Sequence, residues 1–155
     1  LIAGFNQPMT REKYLEKFNS GHLTDILNRE QVDAGDVFFI PAGRVHAIGA
    51  GILLAEIQQT SDVTYRIYDF ERKDTNGQFR ELHTDLAVDA IDYSYHSDYK
   101  SSYKDLPDNP SEIVSCKYFT TNKLVLTSAF NRNISDVDSF VIYMCIDGSC
   151  TINYY

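Results

Sequence analysis

The chain has 155 residues, 43% of them apolar and 23% charged, which is enough for one domain with a core, or for one domain and part of another, and excludes a disordered chain. Acidic residues outnumber basic ones by 22 to 14, and the net charge of −8 excludes a general nucleic-acid binder, which needs a basic face to displace counterions. No apolar run approaches the roughly 18 residues of a spanning helix, so no membrane partner is expected. The three cysteines, Cys116, Cys145 and Cys150, are odd in number and widely spaced. They predict reduced, small apolar residues in a cytoplasmic protein rather than a disulfide framework or a CxxC metal site. The opening Leu1-Ile2-Ala3-Gly4 has neither an initiator Met nor a basic leader, and predicts a piece of a longer protein.

In chain order, Thr10 is placed to cap a first helix, Glu12 suits its first turn, and Tyr14, Leu15 and Phe18 give it an apolar stripe. Gly21 interrupts it, and Leu23, Ile26 and Leu27 predict a second, short helix. Residues 37–40 form a compact apolar run between Gly35-Asp36 and Pro41-Ala42-Gly43, which predicts a buried strand. Further strands are expected at 52–59 and 63–70, the latter rich in β-branched and aromatic residues. Asp74-Thr75-Asn76-Gly77 is a turn signal. Residues 84–93 predict a helix with Leu86, Ala87, Ala90 and Ile91 on its apolar side.

From 94 to 111 the composition shifts to Ser, Tyr, Asp and Lys with two prolines and a single aliphatic residue, Leu106. Such a segment is a connector laid over a surface, and its tyrosines suit amphipathic packing there. Strands are expected again at 112–121, 124–131 and 139–146, with a turn at Asp147-Gly148 and another strand starting at 151–155.

One local pattern carries chemistry. In Gly35-Asp36-Val37-Phe38-Phe39-Ile40-Pro41-Ala42-Gly43-Arg44-Val45-His46, a strand runs into a Pro-x-Gly turn, and a histidine follows on the next strand. An imidazole so placed can point into a barrel and bind a metal such as zinc, or it can be a hydrogen-bonded core residue. Alternation along the next two strands puts Glu56 in line with Ile52, Leu54 and Gln58, and Arg66 in line with Thr64, Tyr68 and Phe70. A carboxylate in that company is expected to be partly desolvated, with Arg66 as its cation. On spacing alone, an ion pair between neighbouring strands explains both residues as well as a catalytic site does. His83 reads as structural, near a helix start. His22 and His96 read as solvated. Arg72 and Lys73 could draw a phosphate or simply solubilise a turn.

The spacing G-x5-P-x-G-x2-H resembles the second motif of the cupins, although Ala50 stands where that motif has its Asn. The run from Gly51 through Leu53-Leu54-Ala55-Glu56-Ile57-Gln58 and Tyr65-Arg66-Ile67-Tyr68-Asp69-Phe70 resembles the type I mannose-6-phosphate isomerases of the short bacterial kind. The likeness reaches upstream through Ala3-Gly4-Phe5 and downstream through Arg80-Glu81-Leu82-His83 to about Tyr93, and weakens beyond the connector.

The resemblance implies a mainly β fold, a cupin-like double-stranded β-helix (jelly roll) with a short helical segment and part of a second β domain. The implied division is a catalytic-domain portion at 1–93, the connector at 94–111 and a partial β domain at 112–155. It implies interconversion of mannose 6-phosphate and fructose 6-phosphate through an enediol. His46 would be one of four zinc ligands, Glu56 an acid/base lining the active site, and Arg66 a catalytic group lying across the substrate. The remaining zinc ligands, a Gln, a His and a Glu, would lie before Leu1. The isolated chain is therefore expected to bind zinc weakly and to show little activity. Two other readings stay open: a non-catalytic sugar-binding or regulatory cupin, and a cupin-type isomerase acting on glucose 6-phosphate.

Overall fold

A computed structural model describes residues 1–61 and 63–154. Its elements are strand β1 (Ile2–Phe5), helix α1 (Arg11–Asn19), a 3-10 turn (Leu23–Ile26), β2 (Leu27–Arg29), β3 (His46–Ala47), helix α2 (Thr84–Ala90), β4 (Ser111–Ser115) and β5 (Thr120–Lys123). β1 lies between β2 and β3, antiparallel to both, and β4 and β5 form a separate antiparallel hairpin. Among the described residues no helix is long and apolar enough to cross a membrane.

The first helix follows its sequence signals. The Thr10 hydroxyl accepts from the Lys13 N–H at 3.3 Å, Glu12 sits in the first turn, and Tyr14 is buried. The 3-10 turn then buries Leu23 and Ile26. These side chains meet Ile2, Phe5, Met9, Leu27 and Val88 in one core, with Leu15, Phe18, Ile91 and Tyr93 packed at its margin. Aromatic contacts bind it: Phe5 meets Tyr14 edge-on at 6.3 Å between ring centres and stacks with Tyr93 at 6.1 Å. The Arg11–Asp89 ion pair (2.8 Å) ties α1 to α2 at the surface. Full burial of a side chain such as Phe5 contributes about 1.5–3 kcal/mol.

β1 has no counterpart in the sequence reading, and Leu27, expected in the second helix, opens β2 instead, because four- and three-residue strands are too short to show a period. In α2, Ala87 and Val88 are buried, whereas Leu86 is 61% exposed, so Val88 rather than Leu86 faces the core. The helix stops at Ala90 because Ile91 turns to an extended backbone.

Several expected strands are absent among the described residues. The run 37–40 is half-buried and unpaired with any strand, and the Val37 carbonyl instead accepts the Ser101 N–H at 2.8 Å. Residues 52–59 and the described residues of 63–70 belong to no strand, and Leu53 is 98% exposed; Asp62 lies outside the described residues. A strand exists only through its ladder, and no neighbouring segment supplies one to these residues. The same reason accounts for 139–146 and 151–154, which carry strand composition but no pairing, with Phe140 and Ile146 exposed. Tyr155, the last residue of that expectation, lies outside the described residues. The run 112–121 is a hairpin rather than one strand, since the Cys116 N–H bonds the Phe119 carbonyl at 3.0 Å and reverses the chain. Residues 124–131 make one bridge, Val125 to Pro107, beside which the Asp108 carboxylate holds Thr127 and Ser128.

The turn at 74–77 forms as expected: the Asp74 carboxylate accepts the N–H groups of Asn76 and Gln78, both at 2.8 Å. The three cysteines are free thiols, but Cys145 and Cys150 are exposed rather than packed.

The connector is fastened to the first half of the chain. Tyr99 is buried, and its hydroxyl accepts the Phe5 N–H at 3.1 Å and the His96 N–H at 3.2 Å while donating to the Phe5 carbonyl at 3.0 Å. Lys100 pairs with Asp36 at 2.7 Å, and the Tyr103 hydroxyl donates to the Gly35 carbonyl at 2.7 Å. One of the connector tyrosines is thus a core anchor rather than a surface residue.

Candidate functional site

His46 begins β3, the short strand paired to β1 through Ala3 and Ile2. Its imidazole Nδ1 lies 2.9 Å from the Arg44 carbonyl. A carbonyl only accepts, so Nδ1 carries the proton and the Nε2 lone pair is left for another partner. Metal-binding histidines are held in this way by a second bond on the far nitrogen. Arg44 is fixed in turn: its guanidinium donates to the Phe39 carbonyl (3.1 Å), meets His96 Nε2 (3.0 Å) and lies over the Tyr99 ring at 5.2 Å. His96 is exposed, as expected, and also bonded to Arg44.

Arg66 is half-buried and bound at both backbone and side chain. Its N–H donates to His83 Nδ1 at 3.1 Å, its carbonyl accepts the His83 N–H at 2.7 Å, and its Nη1 donates to the Glu81 carbonyl at 3.0 Å. His83 occupies the position before α2 but does not cap that helix with its ring. Its ring bonds the Arg66 backbone instead, in keeping with the structural role expected of His83 near a helix start.

Glu56 is exposed, as are its neighbours from Leu53 to Thr60. The expectation of a partly desolvated carboxylate is not met, because no segment among the described residues covers that face. Among the described residues there is also no Glu56–Arg66 ion pair. No hydrogen bond or ion pair among those residues joins His46, Glu56 and Arg66 to one another.

Beyond Arg66 lies a charged knot that sequence reasoning missed. Asp69 is buried, and its carboxylate accepts from Arg80 Nε at 2.7 Å and from Arg72 Nε at 3.2 Å, with Arg80 Nη2 also bonded to it. The Arg80 hydrogen bonds, aided by those from Arg72, hold the carboxyl well below the usual range of an aspartate. Phe70 and Glu71 follow with φ of 51° and 53°, left-handed values that non-glycine residues adopt only under constraint. The available signal was Asp69 with one arginine, Arg72, just before the predicted turn and another, Arg80, just after it. Arg72 is thus committed to Asp69, and Lys73 lies over the Phe79 ring at 5.1 Å. An apolar hollow of about 200 Å³ opens beside this region between Phe18, Leu23, Ile67, Tyr68 and Leu82. None of His46, Glu56 and Arg66 lines it.

Zinc needs three or four protein donors. His46 offers one correctly oriented nitrogen, but no group of three or more His, Cys, Asp or Glu gathers among the described residues. The described residues on their own do not fit a zinc site.

No family model matches the chain. It is 34% identical over 152 residues to mannose-6-phosphate isomerase ManA of Bacillus subtilis, an alignment covering 96% of this chain and 47% of that protein. Over 119 residues it is 34% identical to the mannose-6-phosphate isomerase of Streptococcus mutans, covering 76% of this chain and 38% of that protein. The crystal structure of the mannose 6-phosphate isomerase from Bacillus subtilis superposes with a TM-score of 0.66 at 34% identity, covering 77% of this chain and 38% of that one. The chain spans about half the length of the first of these relatives, or less of the others. In sequence and in fold, the chain is a homologue of the bacterial mannose-6-phosphate isomerases.

Proposed function

We propose that the whole protein interconverts mannose 6-phosphate and fructose 6-phosphate. The observation that carries this reading is the 34% identity to a protein of that name across 96% of the chain. The sugar substrate would undergo proton transfer between C1 and C2 through an enediol. Glu56 is the acid/base of this reading, and Arg66 stabilises the developing enediolate. The bonds to Glu81 and His83 give Arg66 a fixed position, which preorganised charge stabilisation requires. His46, with Nε2 free to bind, would be one ligand of a zinc ion in the whole protein, whose other donors do not gather among the described residues. The chain alone would therefore hold zinc weakly and turn over little substrate. The fold of this reading is a cupin jelly roll.

The kinetic test uses the whole protein. Glu56→Gln should remove most of the turnover, by about 100-fold or more, while leaving bound metal unchanged. Arg66→Ala should lower kcat, substrate affinity or both. Unaltered kinetics in both variants would refute these roles. A protein that binds the sugar phosphate without converting it would support the non-catalytic cupin instead.

A further inference from the structure

We propose that His83 is a positioning residue for Arg66, holding its backbone through Nδ1 so that the guanidinium stays in place for the reaction. This rests on the function proposed for Arg66 above.

The argument begins with the missing ladder. Residues around Arg66 belong to no strand among the described residues, so its N–H and carbonyl need other partners. His83 supplies both: its ring accepts the N–H at 3.1 Å, and its own N–H donates to the carbonyl at 2.7 Å. Two residues earlier, the Glu81 carbonyl takes the guanidinium at 3.0 Å. Two residues, Glu81 and His83, thus grip Arg66 at three points. The grip is itself anchored, because the His83 carbonyl accepts the Ala87 N–H at 2.9 Å in the first turn of α2, and α2 buries Ala87 and Val88. The core therefore reaches Arg66 through α2 and His83.

The ring has one arrangement that allows this. A backbone N–H only donates, so Nδ1 must carry the lone pair and Nε2 the proton. Nε2 then faces the Glu81 carboxylate at 4.0 Å, and the ring leans on Tyr65 at 6.3 Å between centres. A ring of the same size without the Nδ1 acceptor would leave the Arg66 N–H unpaired and let the segment shift. Misplacement of a catalytic group by about 1 Å costs up to about 100-fold in rate.

The test is a double-mutant cycle in the whole protein with mannose 6-phosphate as substrate. His83→Phe should lower kcat about 10- to 100-fold with KM changed less than about twofold. His83→Asn, which keeps an acceptor, should restore most of the loss. In an Arg66→Ala background, His83→Phe should change kcat by less than about twofold, because the residue through which it acts is gone. An equal loss in both backgrounds, or an unchanged kcat in His83→Phe, would overturn the proposal. If the Phe variant does not fold, nitrogen NMR of the unmodified protein decides it: protonated Nε2 and bare Nδ1 are expected, and a proton on Nδ1 would refute it. An Arg66→Ala variant with full activity would instead defeat the role given to Arg66, with the His83 tautomer still reporting on the contact.

Discussion

Replacing Tyr99 with Phe isolates a single hydroxyl at the junction of connector and core. That oxygen accepts the N–H groups of Phe5 and His96 and donates to the Phe5 carbonyl. Phe5 is fully buried, so its two backbone groups have no water to turn to when the hydroxyl goes. Each orphaned buried group costs about 1–3 kcal/mol, and the pair predicts a loss of about 2–6 kcal/mol. The benzene ring remains, so packing against the Arg44 guanidinium is kept. Tyr103→Phe is the internal control, since it deletes a tyrosine hydroxyl from the same connector but breaks an exposed bond to Gly35 and a long one from Lys123, which keeps its pair with Asp105. It should cost under about 1 kcal/mol. Urea denaturation of the purified chain, followed by circular dichroism, measures both. Equal and small losses would refute the view that the Tyr99 hydroxyl satisfies the buried Phe5 backbone at the end of β1.

Two further outcomes follow from the same geometry. Gly4 has φ +67°, and a Cβ there would lie 2.4 Å from Tyr99 Cε1, so Gly4→Ala should cost more than about 2 kcal/mol by left-handed strain and overlap together. Gly21→Ala, at φ +78° with nothing within 4 Å, should cost only the strain, about 1 kcal/mol; the two melting temperatures separate the contributions. Asp69 has a folded pKa below its ordinary 3.8, so its contribution to stability is present above about pH 4 and fades as the pH falls further. Thermal melts between pH 2 and about 5 should show that acid-side decline in the parent and a flatter curve in Asp69→Asn. Parallel curves would remove Asp69 from that role.

Legibility in the sequence varied with the range of the interaction that fixes each element. The α1 cap, the Asp74 turn and the short helical turn at Leu23 were readable because bonds between near neighbours specify them. Residues of the candidate site were readable as types and spacings, but their partners were not. His83 lies 17 positions from Arg66 and His96 lies 52 from Arg44, and no local pattern connects such pairs. Alternation along 52–59 assigns side chains to faces only where the run pairs as a strand, and burial of Glu56 requires a covering segment that alternation does not specify.

The sequence by itself determined the helices and turns, the acidic character and the kinship with the mannose-6-phosphate isomerases, because these depend on local chemistry and on matching residue order. Only the tertiary structure decided which apolar runs become strands, that the Tyr99 hydroxyl bonds the Phe5 backbone at the end of β1, and that His83 grips Arg66. Those outcomes depend on hydrogen-bond partners far apart along the chain, and a backbone group acquires its partner only when the fold brings the two together.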